Sequence, residues 1–207
     1  MTRFRPLLVL LAAVLALGLT APSSRAQSQE STQQEIRTML EQRDRQIKSI
    51  LSGSSDYSQE QRTRLKELIN GVIDFRSMAE TALGPHWDTL GTDRRDRFVE
   101  VFRDVVRAQS MSDLDVYNSR VTFDQISVQD DSARVRTTTE YQGTRTPVVY
   151  DLLRREGEWK AEDIILDGVS TAEGYARSFQ SVMRKRGFDA LMTALERKRK
   201  QTAEKEG

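Results

Sequence analysis

Residues 148–170, VVYDLLRREGEWKAEDIILDGVS, constrain the fold more than any other stretch, because they read as a β-hairpin running straight into a helix. Two runs of strand-forming residues, 148–153 and 159–166, flank Glu156 and Gly157, and a short Gly-containing connection between such runs is a hairpin signal. The second strand is expected to stop at Gly168. Ser170 to Glu173 then spells S-T-A-E, a capping box whose Ser hydroxyl and Glu carboxylate would satisfy free backbone N–H groups, so a helix is expected from Thr171.

The strands before this hairpin follow the same period of two. Val121, Phe123, Ile126 and Val128 alternate with polar residues around an irregularity near Asp124, and residues 129–132 turn the chain. Ala133, Val135, Thr137, Thr139 and Tyr141 alternate in turn, and residues 142–146 read as the next connection. Four consecutive strands in an antiparallel meander are the expectation.

On either side of the sheet the period is helical. Ile36, Leu40, Ile47 and Leu51 form one face of a helix over residues 27–51, which SGSSDY interrupts. Ser58 with Gln61 offers a capping box for a second helix carrying Leu65, Leu68, Ile69 and Val72. Asp74 caps a shorter helix with Phe75, Met78, Ala79 and Ala82, stopped at Gly84-Pro85. From Gly91-Thr92, the positions of Phe98, Val101, Phe102, Val105 and Val106 define a long helix with one buried face. After the sheet come two more: one from Thr171 to about Lys185, with Tyr175, Phe179, Val182 and Met183 on one face, and one from Phe188 to about Lys200, with Leu191, Met192 and Leu195. Helices, sheet, helices is an α+β order: a twisted four-stranded antiparallel sheet packed with N- and C-terminal helices.

The first residues read as an address. Arg3 and Arg5 precede the apolar run LLVLLAAVLALGL, and Ser24-Arg25-Ala26 places small residues where a signal peptidase reads, so residues 1–26 are expected to be a cleaved signal peptide. The run is shorter than the roughly 20 residues of a membrane-spanning helix. The remaining residues 27–207 are expected to form a single periplasmic domain. Losing three arginines and no acid makes the +1 chain slightly acidic, which speaks against a general nucleic-acid binder.

Catalytic chemistry finds little footing. With no Cys and a single His, thiol nucleophiles, disulfides, Cys-ligated zinc and multi-imidazole metal sites are excluded. Gly168-Val169-Ser170-Thr171-Ala172 weakly echoes a hydrolase nucleophile elbow, but nothing places His86 near Ser170, and a capping serine explains the same residues. Glu162, Asp163 and Asp167 read as solvent-face carboxylates. No enzyme, metal or cofactor is expected. The basic clusters 184–186 and 197–200 read as solvated helix ends, with anionic headgroups or an acidic partner as the alternative.

Several strings together resemble the MlaC family of periplasmic phospholipid carriers and its toluene-tolerance relatives. They are VIDFRSMAETALGPHW over residues 72–87, Phe98 to Phe102, the 148–170 stretch, Gly174-Tyr175 through Phe179, and Gly187 to Leu195. The likeness spans about residues 33–198. Its most specific parts are Asp74, Phe75, Met78, Ala79, Leu83, Gly84 and Trp87, and the W-K to L-D-G-V-S string from Trp159 to Ser170. Two departures stand out: Ala176 follows Tyr175 where the family usually has Arg, and MSDLDV replaces a Tyr-Ala-rich stretch.

The resemblance implies helices and a twisted sheet around an apolar cavity, with a bound phospholipid as cargo. It also implies two partners: the MCE-domain subunit of an inner-membrane ABC transporter and an outer-membrane lipoprotein complex. A monomer without nucleic-acid partners is expected. Candidate lipid-binding residues, by likeness and pattern, are Phe75, Met78, Leu83 and Trp87 from the helix pair and Phe98 and Phe102 from the long helix. Val148, Tyr150, Leu152 and Trp159 join them from the sheet, and Val169, Tyr175 and Phe179 from beyond it. Two alternatives share the fold: an adaptor with a filled core and no lipid, and a carrier of hopanoid or sterol-like lipid.

Overall fold

The computed structural model describes residues 24–53 and 56–206. The expected signal peptide lies mostly outside them. Five helices and one sheet follow the expected order: α1 Ser24–Leu51, α2 Gln59–Asn70, α3 Phe75–Leu83, α4 Thr92–Ser110, β1 Arg120–Gln129, β2 Ser132–Tyr141, β3 Thr144–Arg155, β4 Glu158–Leu166, β5 Val169–Ser170 and α5 Thr171–Glu206. Short 3₁₀ turns occupy Gly84–His86 and Asp115–Asn118.

The sheet is antiparallel throughout, with its strands in chain order. It has five strands, not four, because the chain does not leave it at Gly168. Asp167 and Gly168 take φ of 49° and 76°, the same pair of left-handed values as Gln142-Gly143 and Glu156-Gly157. Two consecutive positive φ values make the tight hairpin turn whose twist matches the flanking strands. Three X-Gly pairs therefore make three hairpins, and the last returns β5 along Ile165 and Leu166. The connection expected over residues 142–146 shrinks to Gln142-Gly143 for the same reason. Pro147 then falls inside β3, where β4 has already turned away, and its carbonyl accepts the Asp167 N–H at 2.9 Å. The irregularity near Asp124 is a bulge between Phe123 and Gln125.

Helix boundaries follow their caps. The Ser58–Gln61 capping box is complete, and Asp74 accepts from the N–H groups of Arg76 and Ser77. α2 ends at Asn70, so Val72 is not helical; its carbonyl accepts the Ala161 N–H at 2.7 Å and carries the chain onto β4. The two expected C-terminal helices meet at Gly187, whose φ of 79° and ψ of 179° break α5. The break returns Phe188, Leu191, Met192 and Leu195 to the core that already holds Phe179.

That helical core is built from α3, α4 and α5 around Phe98, which is fully buried. Phe98 and Phe102 lie parallel at 5.7 Å, and Phe179 meets both edge-on at 5.9 Å. Gly84 lets the end of α3 close on α5: at φ 53° a Cβ would stand 2.6 Å from the Gln180 amide nitrogen. Phe98→Ala is expected to cost about 3–5 kcal/mol, the range for emptying a buried phenyl site, read as a lower urea midpoint.

Candidate functional site

Three apolar clusters divide the interior. The first is the helical core just described. It holds Phe75, Met78, Leu83, Trp87, Phe98, Phe102 and Phe179 of the expected lipid-binding set, with Tyr175 packed on it. Trp87 is flanked by the guanidiniums of Arg76 and Arg95 at 5.6 and 5.3 Å. The second joins one face of the sheet to α1: Ile36 packs with Ala133, Val135, Leu152, Trp159 and Ala161, and Tyr150 borders it. The third lies between the ends of α1 and α2, where Ile47, Leu51, Leu65, Leu68 and Ile69 gather with Met111, Leu114 and Tyr117. Val148 is buried, whereas Val169 is 58% exposed.

Register settles which side chains share the inner face of the sheet. Phe123 pairs with Thr137, Val135 with Tyr150, Ala133 with Leu152, and Tyr150 with Ile164. Directly paired residues share a face, so these, with Ile126 and Val128, form one apolar surface. Phe123, Ile126, Tyr150 and Ile164 remain only partly buried although they lie on the packed side.

Two tyrosines border this surface. Desolvation first, then Asp44 of α1, pushes the Tyr150 phenol up to about 12. Desolvation, helped by Tyr150 and Asp113, pushes Tyr117 to about 12, while its hydroxyl donates to the Ser110 carbonyl at 3.1 Å. That these groups sense one another reflects how close α1, β3 and the 115–118 turn lie. Trp159 adds a buried indole N–H with no acceptor among the described residues.

The grooves are of a different character. A cleft of about 380 Å³ is lined by Ile73, Asp74, Phe75, Arg155, Glu156, Glu158 and Lys160. Another of about 340 Å³ runs between α1 and α2 past Gln42, Arg43, Gln46, Arg64 and Glu67. Both are open and largely polar, and only Phe75 of the expected lipid-binding residues touches either. Lys160 and Arg43 are engaged there, donating to the carbonyls of Gly71 at 3.0 Å and Leu68 at 3.1 Å.

Ser170 is a structural residue. Its hydroxyl donates to Asp163 and accepts the Glu173 N–H at 3.0 Å. The other carboxylate oxygen of Asp163 accepts the Ala172 N–H at 2.9 Å. Asp163 is therefore no solvent-face acid, because it supplies the second acceptor expected of Glu173, whose own carboxylate lies 3.9 Å from Arg177. His86 sits in the 84–86 turn, where its backbone carbonyl accepts from Thr89. Of the basic clusters, Arg199 is committed to Glu100 and Asp104 of α4. No group of acids and imidazoles able to hold a metal occurs among the described residues.

Residues 41–197 match the sequence profile of the MlaC protein. The chain belongs to the MlaC family. Its fold is shared by the phospholipid-binding protein from Ralstonia solanacearum, solved in complex with a phospholipid. That match has a TM-score of 0.68 and 20% identity over 83% of this chain and 98% of that one. No curated protein matches the sequence significantly.

The sheet surface of this MlaC-family chain adds residues that the sequence left out of the candidate set. Phe123 and Ile126 stood in an alternating pattern and Ile164 in a strand-forming run, but neither says what lies opposite the face. Met111, Leu114 and Tyr117 carried no periodic signal, because they sit in and beside a 3₁₀ turn.

Ser170→Ala is expected to cost about 0.5–2 kcal/mol, as for other lost N-caps, measured by urea denaturation. The tyrosines give a pH signature. Their folded pKa values lie above the unfolded value near 10, so their contribution is complete below pH 10 and is lost as pH rises through about 12. Tyr150→Phe should flatten that alkaline loss in denaturation curves recorded from pH 9 upward.

Proposed function

We propose that this chain is exported to the periplasm and there binds a phospholipid against the inner face of its sheet. It carries the lipid, without covalent chemistry, between an outer-membrane lipoprotein complex and the MCE-domain subunit of an inner-membrane ABC transporter. The observation that carries the reading is this MlaC-family chain's fold, shared with a protein solved in complex with a phospholipid. An N-terminal stretch with the pattern of a cleaved signal supports the compartment. Residues 27–207 then act as one domain. Among the described residues no helix is long and apolar enough to cross a membrane.

The physical case rests on the division of the interior. Burying acyl chains yields about 0.8 kcal/mol per CH₂, and a carrier needs apolar surface kept free to receive them. Phe123, Ile126, Tyr150 and Ile164, partly buried on the inner face of the sheet beside α1, supply such surface.

A second reading has its own observation. Phe75, Met78, Leu83, Phe98, Phe102 and Phe179 already pack into one filled helical core, as they would in an adaptor that carries nothing. Native followed by denaturing mass spectrometry separates the two. Residues 27–207, expressed in a Gram-negative periplasm and purified without detergent, are expected to carry a mass released as phospholipid. A bare chain that also ignores added labelled lipid would leave the adaptor. A hopanoid or other sterol-like mass would instead redefine the cargo.

A further inference from the structure

Among the described residues three large apolar side chains stand exposed: Val116 at 41%, Leu166 at 50% and Val169 at 58%. Strand register places all three at one end of the sheet. Arg120 at the start of β1 pairs with Glu140 near the end of β2, Tyr141 with Thr144 at the start of β3, Val148 with Leu166 at the end of β4, and Leu166 with Val169. The turn holding Val116 runs directly into Arg120. Leu166 faces the same side as its partner Val148 and as Tyr150 and Ile164, so it belongs to the inner face, and Val169 shares that face by direct pairing. Val148 is buried while Leu166 beside it is half exposed, so the inner face runs out of cover at this end.

The helices flanking this end are fastened unevenly. From Arg94 to Asp104 of α4, Arg97 pairs with Glu196 at 2.7 Å and Arg94 with Asp189 at 3.7 Å, and Arg199 reaches Glu100 and Asp104 at 3.5 and 3.4 Å. All of these partners lie beyond the Gly187 break. At the opposite end, next to the uncovered sheet, the Tyr175 hydroxyl donates to the Gln109 side-chain oxygen at 3.0 Å, and the Tyr175 ring stands edge-on to Phe102 at 5.0 Å. The contact there is neutral and solvent-facing, while the far end is held by charges.

We propose that this end of the sheet is the doorway through which a lipid's acyl chains pass, with Leu166 and Val169 the first apolar surface they meet and the Tyr175–Gln109 contact its latch. The inference rests on the lipid-binding reading above and adds to it a route and a moving part. Continuity decides the occupant: the exposed pair extends the inner face that holds Tyr150 and Ile164, so a chain sliding along it stays on apolar surface. Opening parts the neutral latch and lifts the Tyr175 ring from Phe102 and Phe179, while the charged end acts as a pivot.

The chain has no native cysteine, so Gln109→Cys with Tyr175→Cys can be joined selectively by a short bismaleimide. The readout is transfer of a fluorescent phosphatidylglycerol between phosphatidylethanolamine–phosphatidylglycerol vesicles. The joined protein is expected to transfer at least about tenfold more slowly than the same protein unjoined, and Leu166→Ser is expected to slow transfer by up to about tenfold, the size of one lost apolar side-chain contact. Circular dichroism melting of each form checks that the fold is kept. If the wild-type protein carries lipid but joined, unjoined and Leu166→Ser proteins all transfer at the wild-type rate, the doorway is elsewhere and lipid binding stands. If the wild-type protein carries no lipid at all, the lipid reading falls and takes the doorway with it.

Discussion

Two backbone hydrogen bonds at Ala161 hold the halves of this molecule together. The Ala161 N–H donates to the Val72 carbonyl at 2.7 Å, and the Asp74 N–H donates to the Ala161 carbonyl at 2.8 Å, a short parallel bridge between the α2–α3 junction and β4. Buried backbone groups must be paired somewhere, and here the pairing spans elements of unlike type. It sets the start of α3, because Asp74 is both a partner in the bridge and the cap of that helix. Through α3 it sets the aromatic core, and through β4 the hairpin that carries Trp159. Lys160 adds a third tie, from its ammonium to the Gly71 carbonyl.

The helical half is anchored to the sheet at that point, through the junction of α2 and α3. Three clusters result in place of one, and their margins are lined by partly buried aromatic and aliphatic groups. A sheet face needs apolar cover, and α1 supplies it at one end through Ile36. At the other end Leu166 and Val169 go without. The MlaC-family fold thus keeps apolar surface exposed locally while the helical core alone supplies well-packed aromatic contacts.

Much of this was legible in the residues because local chemistry decided it. Caps at Ser58 and Asp74, the stop at Gly187 and the stripe from Phe98 to Val106 each need only near neighbours. The fifth strand was missed where a tight turn and a helix cap stand side by side: S-T-A-E drew attention to the helix, and Asp167-Gly168 has the chemistry of the other hairpins without the alternating run after it. Asp163 was misread for a related reason. Its partners Ser170 and Ala172 come close only once that turn has formed. For the candidate site, type of side chain was readable and grouping was not. Periodicity placed Phe98 and Trp159 each on a buried face, yet nothing local says that one belongs to the helical core and the other to the sheet.

The break at Gly187 has a consequence for timing. Phe98 stays uncovered on one side until Phe188 and Leu195 arrive, and the ion pairs Arg97–Glu196 and Arg199–Glu100 each span 99 residues. Contacts of such separation form late, because a long loop must close before they repay its entropy. The aromatic core is therefore sealed by the segment beyond Gly187, which follows every other described element along the chain. A polypeptide of this design keeps its aromatic rings accessible until the segment beyond Gly187 has docked.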